Sequence, residues 1–162
     1  MTKLFLDVDG VVNAIAPHSA WSDYTTFPLQ GAINNRINYS PDMLRRLADY
    51  GMTLHWTTAW EEAAPQVLAP MIGFGENRPW LSPLNGIMDY PTILWKREAV
   101  EAHVKHDPCR FVWMDDEMRL EDMEWAQRHN GLAIRPPTAH GITRPQIALI
   151  AQFLESPITV LI

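Results

Sequence analysis

Two aspartates at the end of a short apolar run are the residues of this chain best suited to chemistry. Asp7 and Asp9 follow the run Leu4–Leu6, and Gly10 comes directly after them. Two carboxylates about 4 Å apart repel by roughly 4 kcal/mol at an effective dielectric near 20. A divalent cation, or a proton shared during catalysis, would remove that cost. The pair therefore indicates a metal site or acid–base chemistry.

Further polar residues follow two later apolar runs, 52–56 and 109–114. They are Thr57, Thr58, Asp115 and Asp116. If these runs are parallel strands, their carboxyl ends meet at one edge of the sheet, where open α/β sheets bind ligands. Four acids and a hydroxyl at one edge of the sheet therefore predict a binding or catalytic site there.

A lysine is placed to join this group. Lys96 falls in the first turn of a predicted helix, where a cation opposes the helix dipole by some 0.3–1 kcal/mol unless a carboxylate or an anionic ligand lies nearby. The alternative is an ordinary solvated lysine. Carboxylates, a hydroxyl and a lysine suit phosphoryl transfer, in which charge spreads over three oxygens. A ligand set made only of oxygens favours Mg²⁺ over zinc or copper.

The elements that must position these residues alternate between strands and helices, which predicts an α/β fold with a mostly parallel sheet and helices on both faces. Strands are predicted over residues 4–6, 52–56, 109–114 and 132–135. Helices are predicted over residues 41–50, 60–72, 93–106, 120–129 and 144–154. Ser40, Thr92 and Thr143 are the expected N-caps.

Two segments are less regular. Residues 14–39 are rich in turn residues and scattered aromatics, which predicts a loop with short hairpin strands, Tyr24–Leu29 and Ala32–Tyr39, forming a flap over the site. The stretch 73–91 is expected to hold one short strand, either Pro79–Leu81 or Asn85–Met88.

Length and composition restrict the class of protein. The 162 residues predict one domain over 1–162, and no repeat or linker indicates a second. The net charge of −6 argues against strong non-specific binding to nucleic acid. The single cysteine excludes an internal disulfide. No apolar stretch approaches the roughly 18 residues of a membrane span, so we expect no membrane association and a cytoplasmic location.

Taken in order, the motifs resemble those of the haloacid dehalogenase (HAD) superfamily. Its first motif, DxDG, is matched by residues 7–10, and its second, an apolar strand ending in Thr or Ser, by residues 54–58. Its third, a lysine opening a helix, is matched by Lys96, and its fourth, a strand ending in DD, by residues 111–116. The resemblance covers roughly residues 3–135.

This resemblance implies a Rossmann-like HAD core with a short flap in place of a cap domain. More narrowly, the segments Trp56–Glu61 and Trp113–Glu117 resemble a small, cap-poor branch of the superfamily. Some members of that branch are associated with RNA-repair proteins.

The resemblance also implies catalytic roles. Asp7 would be the nucleophile that forms an aspartyl-phosphate. Asp9 would protonate the leaving oxygen and then activate water. Phosphatases and phosphomutases of the superfamily carry this second acid, whereas dehalogenases lack it.

Ligand-binding roles follow from the same resemblance. The magnesium ligands would be the Asp7 carboxylate, the Asp9 backbone carbonyl, and Asp115 or Asp116. Thr58, with Thr57 as the alternative, would bind phosphoryl oxygens, and Lys96 would neutralise Asp7 and the phosphoryl group. Further candidate substrate contacts are Gly10, His18, Trp21 and Arg36, the last three of which are otherwise ordinary loop residues.

The predicted function is a Mg²⁺-dependent phosphomonoester hydrolase. Its phosphorylated substrate is left open between a nucleotide, an oligonucleotide end and a small metabolite. One alternative is a polynucleotide end-processing phosphatase. A more remote one is a phosphoacceptor signalling or binding module without turnover, which uses similar residues, although there the adjacent acidic pair comes first in the chain.

Overall fold

The computed structural model of the chain describes residues 1–17 and 19–156. Its strands are β1 (Lys3–Leu6), β2 (Thr25–Pro28), β3 (Arg36–Tyr39), β4 (Thr53–Trp56), β5 (Phe111–Met114) and β6 (Gly131–Ile134). Its α-helices are α1 (Pro41–Asp49), α2 (Ala69–Ile72), α3 (Ile93–His106), α4 (Leu120–Arg128) and α5 (Arg144–Glu155). No helix in the described ranges is both long enough and apolar enough to cross a membrane.

The carboxyl ends of the strands of the main sheet lie at the same edge. Its order within the described residues is β4-β1-β5-β6, and every pair is parallel. Leu6, the last residue of β1, lies opposite both Trp56 of β4 and Met114 of β5. The residues that follow these three strands are therefore neighbours. The predicted α/β fold with a parallel sheet is confirmed.

Both faces of this sheet are covered, as parallel sheets require. Leu6 of β1 belongs to a hydrophobic cluster that includes Leu47 of α1. Phe5 faces the opposite way, into a cluster with Val100 of α3 and Trp125 of α4. This alternation along β1 explains why residues 4–6 are all apolar, and it confirms the prediction of helices on both faces.

The segment before α1 folds as the predicted hairpin, with shorter strands than expected. β2 and β3 pair antiparallel, and the turn between them contains Asn34 and Asn35 with positive φ angles of 57° and 52°. Asparagine tolerates this conformation better than most residues. Ile37 of β3 is fully buried in the core, and this burial fixes the hairpin against the main sheet.

Hydrogen bonds and backbone angles decide three local predictions. Ser40 caps α1, with its Oγ accepting from the Met43 N–H at 3.1 Å. Thr92 does not cap α3 through its side chain, because its own backbone is already helical. Of the two candidate strands in 73–91, the segment Pro79–Leu81 pairs with β4, since the Leu81 N–H donates to the Trp56 carbonyl at 2.8 Å.

The helix predicted over residues 60–72 begins later and is less regular. Residues 64–68 form a π-helical turn that continues into α2. Pro65 has no N–H to donate and lies at the start of this turn, so it prevents a regular helix from forming earlier.

Candidate active site

Three buried charged side chains meet where β1 and β5 end. Asp7 follows β1 and Asp115 follows β5, and Lys96 reaches both from the first turn of α3. Lys96 Nζ lies 3.1 Å from Asp7 Oδ2 and 2.8 Å from Asp115 Oδ2. The exposed fractions of Asp7, Asp115 and Lys96 are 5%, 0% and 2%. Lys96 is therefore part of the acidic group, and the alternative of a solvated lysine is wrong.

This group contains two carboxyl groups, those of Asp7 and Asp115, and one ammonium group, that of Lys96. Burial and the neighbouring Asp115 raise the pKa of Asp7 well above its usual value, despite the nearby lysine and the Val8 N–H. Burial alone would lower the pKa of Lys96, but the Asp7 and Asp115 carboxylates outweigh it and raise the pKa. Burial also raises the pKa of Asp116. The lysine thus stays charged, and the acids can accommodate further positive charge.

The carboxylates suit a hard divalent cation. Within the described residues, oxygens of Asp7, Asp115 and Asp116 lie within 4.8 Å of one another. Such an all-oxygen set fits Mg²⁺ or Ca²⁺. Asp115 is oriented by Lys96 and by the Glu117 N–H, which donates to its Oδ1 at 2.9 Å. The Asp9 side chain is not in this cluster, so only its backbone carbonyl remains as the predicted ligand.

Gly10 is packed directly against one of these acids. Its φ is +74°, in the left-handed region, and a Cβ at this position would overlap the Asp116 carboxylate. Thr138 Oγ1 donates to Asp116 Oδ2, the same oxygen that this Cβ would overlap, at 2.8 Å. A glycine is therefore needed both for the turn and for the position of Asp116.

Replacing Gly10 with Ala is expected to lower the free energy of unfolding by roughly 2–4 kcal/mol, combining left-handed strain with overpacking. It should also weaken binding of Mg²⁺, because Asp116 must move. Gly51→Ala is the matched control, since Gly51 has a φ of +66° and open space around it. Urea unfolding and the Mg²⁺-induced rise in Tm measure both effects. Equal behaviour of the two variants would show that contact with Asp116 does not constrain Gly10.

A cavity of about 300 Å³ opens above the acids. Its lining residues are Asp7, Asp9, Gly10, Ile15, Ile33, Thr58, Ala59, Tyr90, Thr92, Lys96, Asp116, Glu117 and Thr138. It therefore gathers polar residues from five separate parts of the chain beside the apolar side chains of the flap.

Of the two candidate threonines, the structure brings Thr58 to the cavity. Thr57 is fully buried, and its Oγ1 donates to the His55 carbonyl at 3.2 Å. Thr58 Oγ1 instead accepts from the Trp60 N–H at 3.2 Å, which leaves its hydroxyl proton available to a ligand.

The flap contributes different residues from those predicted. Ile15 and Ile33 line the cavity. Trp21 does not: it is buried, and its Nε1 donates to the Ile142 carbonyl at 2.6 Å. Arg36 is exposed at the start of β3 and does not line the cavity either. His18 lies outside the described residues.

Sequence reasoning missed the residues that orient the carboxylates. Asn13 and Trp60 each donate to one oxygen of Asp9 at 3.0 Å, and Thr138 donates to Asp116. Asn13 lies in the same short run as Asp9 and could have been noticed. The other two lie 51 and 22 residues from their partners, so no local pattern indicates them.

A comparison with protein-family models finds a match over most of the chain. The model described as the HAD domain in Swiss Army Knife RNA repair proteins matches residues 3–147. Neither curated proteins nor solved structures gave a significant match. The matched range begins in β1, ends in α5 and includes every residue that lines the cavity.

Proposed function

Because this chain belongs to the family of HAD domains in Swiss Army Knife RNA repair proteins, a family of hydrolase type, we propose that it is a Mg²⁺-dependent phosphomonoester hydrolase. The observation that carries the proposal is the buried arrangement in which Lys96 bridges Asp7 and Asp115 at the floor of an open cavity. In this proposal Asp7 is the nucleophile, Lys96 is the cation beside it, and the phosphate group enters through the cavity.

In the proposed first step, an Asp7 carboxylate oxygen attacks phosphorus, and the bond from phosphorus to the leaving oxygen breaks. Lys96 offsets negative charge on the phosphoryl oxygens, and the Thr58 hydroxyl donates to one of them. Charge on these oxygens is what the transition state must have stabilised. The product of this step is an aspartyl-phosphate on Asp7.

Asp9 moves the protons in both steps. It gives its proton to the leaving oxygen, so the alcohol departs neutral. As a carboxylate it then takes a proton from water, whose oxygen attacks phosphorus while the bond to Asp7 breaks. Inorganic phosphate leaves, and Asp7 and Asp9 return to their starting states.

Three carboxylates are available to hold the divalent metal that HAD proteins generally use: those of Asp7, Asp115 and Asp116. When bound, Mg²⁺ would offset the negative charges of the nucleophile and the phosphoryl group. The chain's own contribution is the orientation of these acids by Lys96, Glu117 and Thr138.

The test is release of phosphate from 4-nitrophenyl phosphate by the purified protein, with Mg²⁺, with Ca²⁺ and with a chelator. We expect turnover with Mg²⁺ and a loss of at least about 100-fold in chelator, since several kcal/mol of charge stabilisation are removed. Turnover that is unaffected by the chelator would overturn the metal requirement. Stoichiometric phosphorylation without release would instead support a phosphoacceptor module.

A second candidate, a polynucleotide end-processing phosphatase, is favoured by the description of the matching family. The substrate panel would contain mononucleotides, sugar phosphates, and oligonucleotides with a 3′- or 5′-phosphate. Higher kcat/KM for one class of oligonucleotide end supports this function. A preference for mononucleotides or sugar phosphates over every oligonucleotide would exclude it.

A further inference from the structure

We propose that Trp60 and Asn13 are positioning residues that hold the Asp9 carboxylate in the orientation required for proton transfer. This inference rests on the proposed phosphatase function and adds two residues outside its four motifs, although Trp60 lies in the segment 56–61 that carries the narrower resemblance. It concerns an acid that lines the cavity but lies outside both the ion pairs of Lys96 and the cluster suited to a metal.

Each oxygen of Asp9 has its own N–H donor. Trp60 Nε1 donates to Oδ2 at 3.0 Å, and Asn13 Nδ2 donates to Oδ1 at 3.0 Å. The carboxylate therefore cannot rotate without breaking one of these bonds. Because a carboxylate oxygen has a second lone pair, Asp9 can still carry and deliver a proton while both donors remain in place.

Both donors are uncharged, which distinguishes Asp9 from its neighbour two residues away. Asp7 is held by the cation of Lys96 and belongs to the group suited to a divalent metal. A residue that must alternate between acid and base is better oriented by neutral donors, because a fixed positive charge would oppose its protonation. The contacts of the two acids therefore match their unequal roles.

The donors are themselves fixed. Asn13 is 1% exposed, and its Oδ1 accepts from the Asn38 N–H of β3 at 2.9 Å, which turns its Nδ2 toward Asp9. The backbone N–H of Trp60 donates to Thr58 Oγ1. Trp60 thus contacts both the proton donor and the hydroxyl proposed to bind phosphate, and Asn13 ties the hairpin to the same carboxylate.

Trp60→Phe removes the indole N–H and leaves the backbone contact with Thr58. The readout is kcat/KM for phosphate esters whose leaving groups differ in basicity. We expect a loss below about 3-fold for 4-nitrophenyl phosphate, whose leaving group needs little protonation, and about 10- to 100-fold for an alkyl phosphate. A general disturbance of the site would lower both rates by the same factor.

Two controls sharpen this test. In an Asp9→Asn background, Trp60→Phe should cause no further loss, because there is no proton left to position. Trp80→Phe removes a partly exposed indole elsewhere and should leave the rates for all esters unchanged. If Trp60→Phe does not fold, replacing Trp60 with benzothienylalanine removes the N–H and keeps the shape of the ring.

The outcomes separate the two proposals. A loss that grows with leaving-group basicity and vanishes in the Asp9→Asn background supports the positioning role. A uniform loss, or a further loss in that background, overturns it while the phosphatase function stands. A wild-type protein that hydrolyses none of the esters overturns the function and this inference with it.

Discussion

Replacing Asp7 with Asn is expected to lower phosphate release by about 10³-fold or more, because the amide cannot attack phosphorus. The same change should leave the fold intact or more stable. Burial and the charge of Asp115 make the Asp7 carboxylate unfavourable, as its raised pKa indicates. In Asp7→Asn this cost disappears, while Lys96 keeps its 2.8 Å contact with Asp115.

Urea unfolding in chelator and phosphate release in Mg²⁺ should therefore change in opposite directions for Asp7→Asn. Asp49→Asn removes a carboxylate from the exposed end of α1 and serves as the control, with activity unchanged. Activity that survives in Asp7→Asn would exclude Asp7 as the nucleophile. A large loss of stability would show instead that its contact with Lys96 outweighs the cost of burying its charge.

The proximity of Asp7, Thr58 and Asp115 could be predicted because the carboxyl ends of neighbouring parallel strands lie at the same edge of a sheet. Once each apolar run is identified as a strand, only its last residue has to be located, and the register of β1 with β4 and β5 aligns the three ends. Lys96 could be proposed for the site because a nearby anion offsets the helix dipole that opposes a cation in the first turn, but the sequence left a solvated lysine as the alternative.

Two of the residues that orient the acids, Trp60 and Thr138, could not be predicted, because they come from irregular segments. Trp60 lies in the turn after β4 and Thr138 in the loop after β6, and the distance of each from its partner depends on the path of that segment. Trp21 shows the opposite error, a residue predicted for the site that lies outside it. An aromatic residue in a flap suggested a substrate contact, but the Ile142 carbonyl and the Arg144 guanidinium, 4.5 Å from the ring centroid, hold it in the core.

Replacing Lys96 with Met is expected to lower the free energy of unfolding by about 3–5 kcal/mol in chelator, because two buried carboxylates lose their only close cation within the described residues. Mg²⁺ should restore more stability to this variant than it adds to the wild type, since the metal would supply the missing charge. Lys105→Met, on an exposed turn of the same helix, is the control and should change stability by less than about 0.5 kcal/mol.

The double variant Lys96→Met/Asp7→Asn tests the cause of this loss. If charge repulsion between Asp7 and Asp115 destabilises Lys96→Met, removing one carboxylate should recover part of the lost stability, and the two changes will not add. Urea unfolding in chelator measures all four proteins. Additive effects would mean that Lys96 stabilises the fold through packing of its aliphatic chain. Non-additive effects would mean that Lys96 stabilises the fold by offsetting the charges of Asp7 and Asp115.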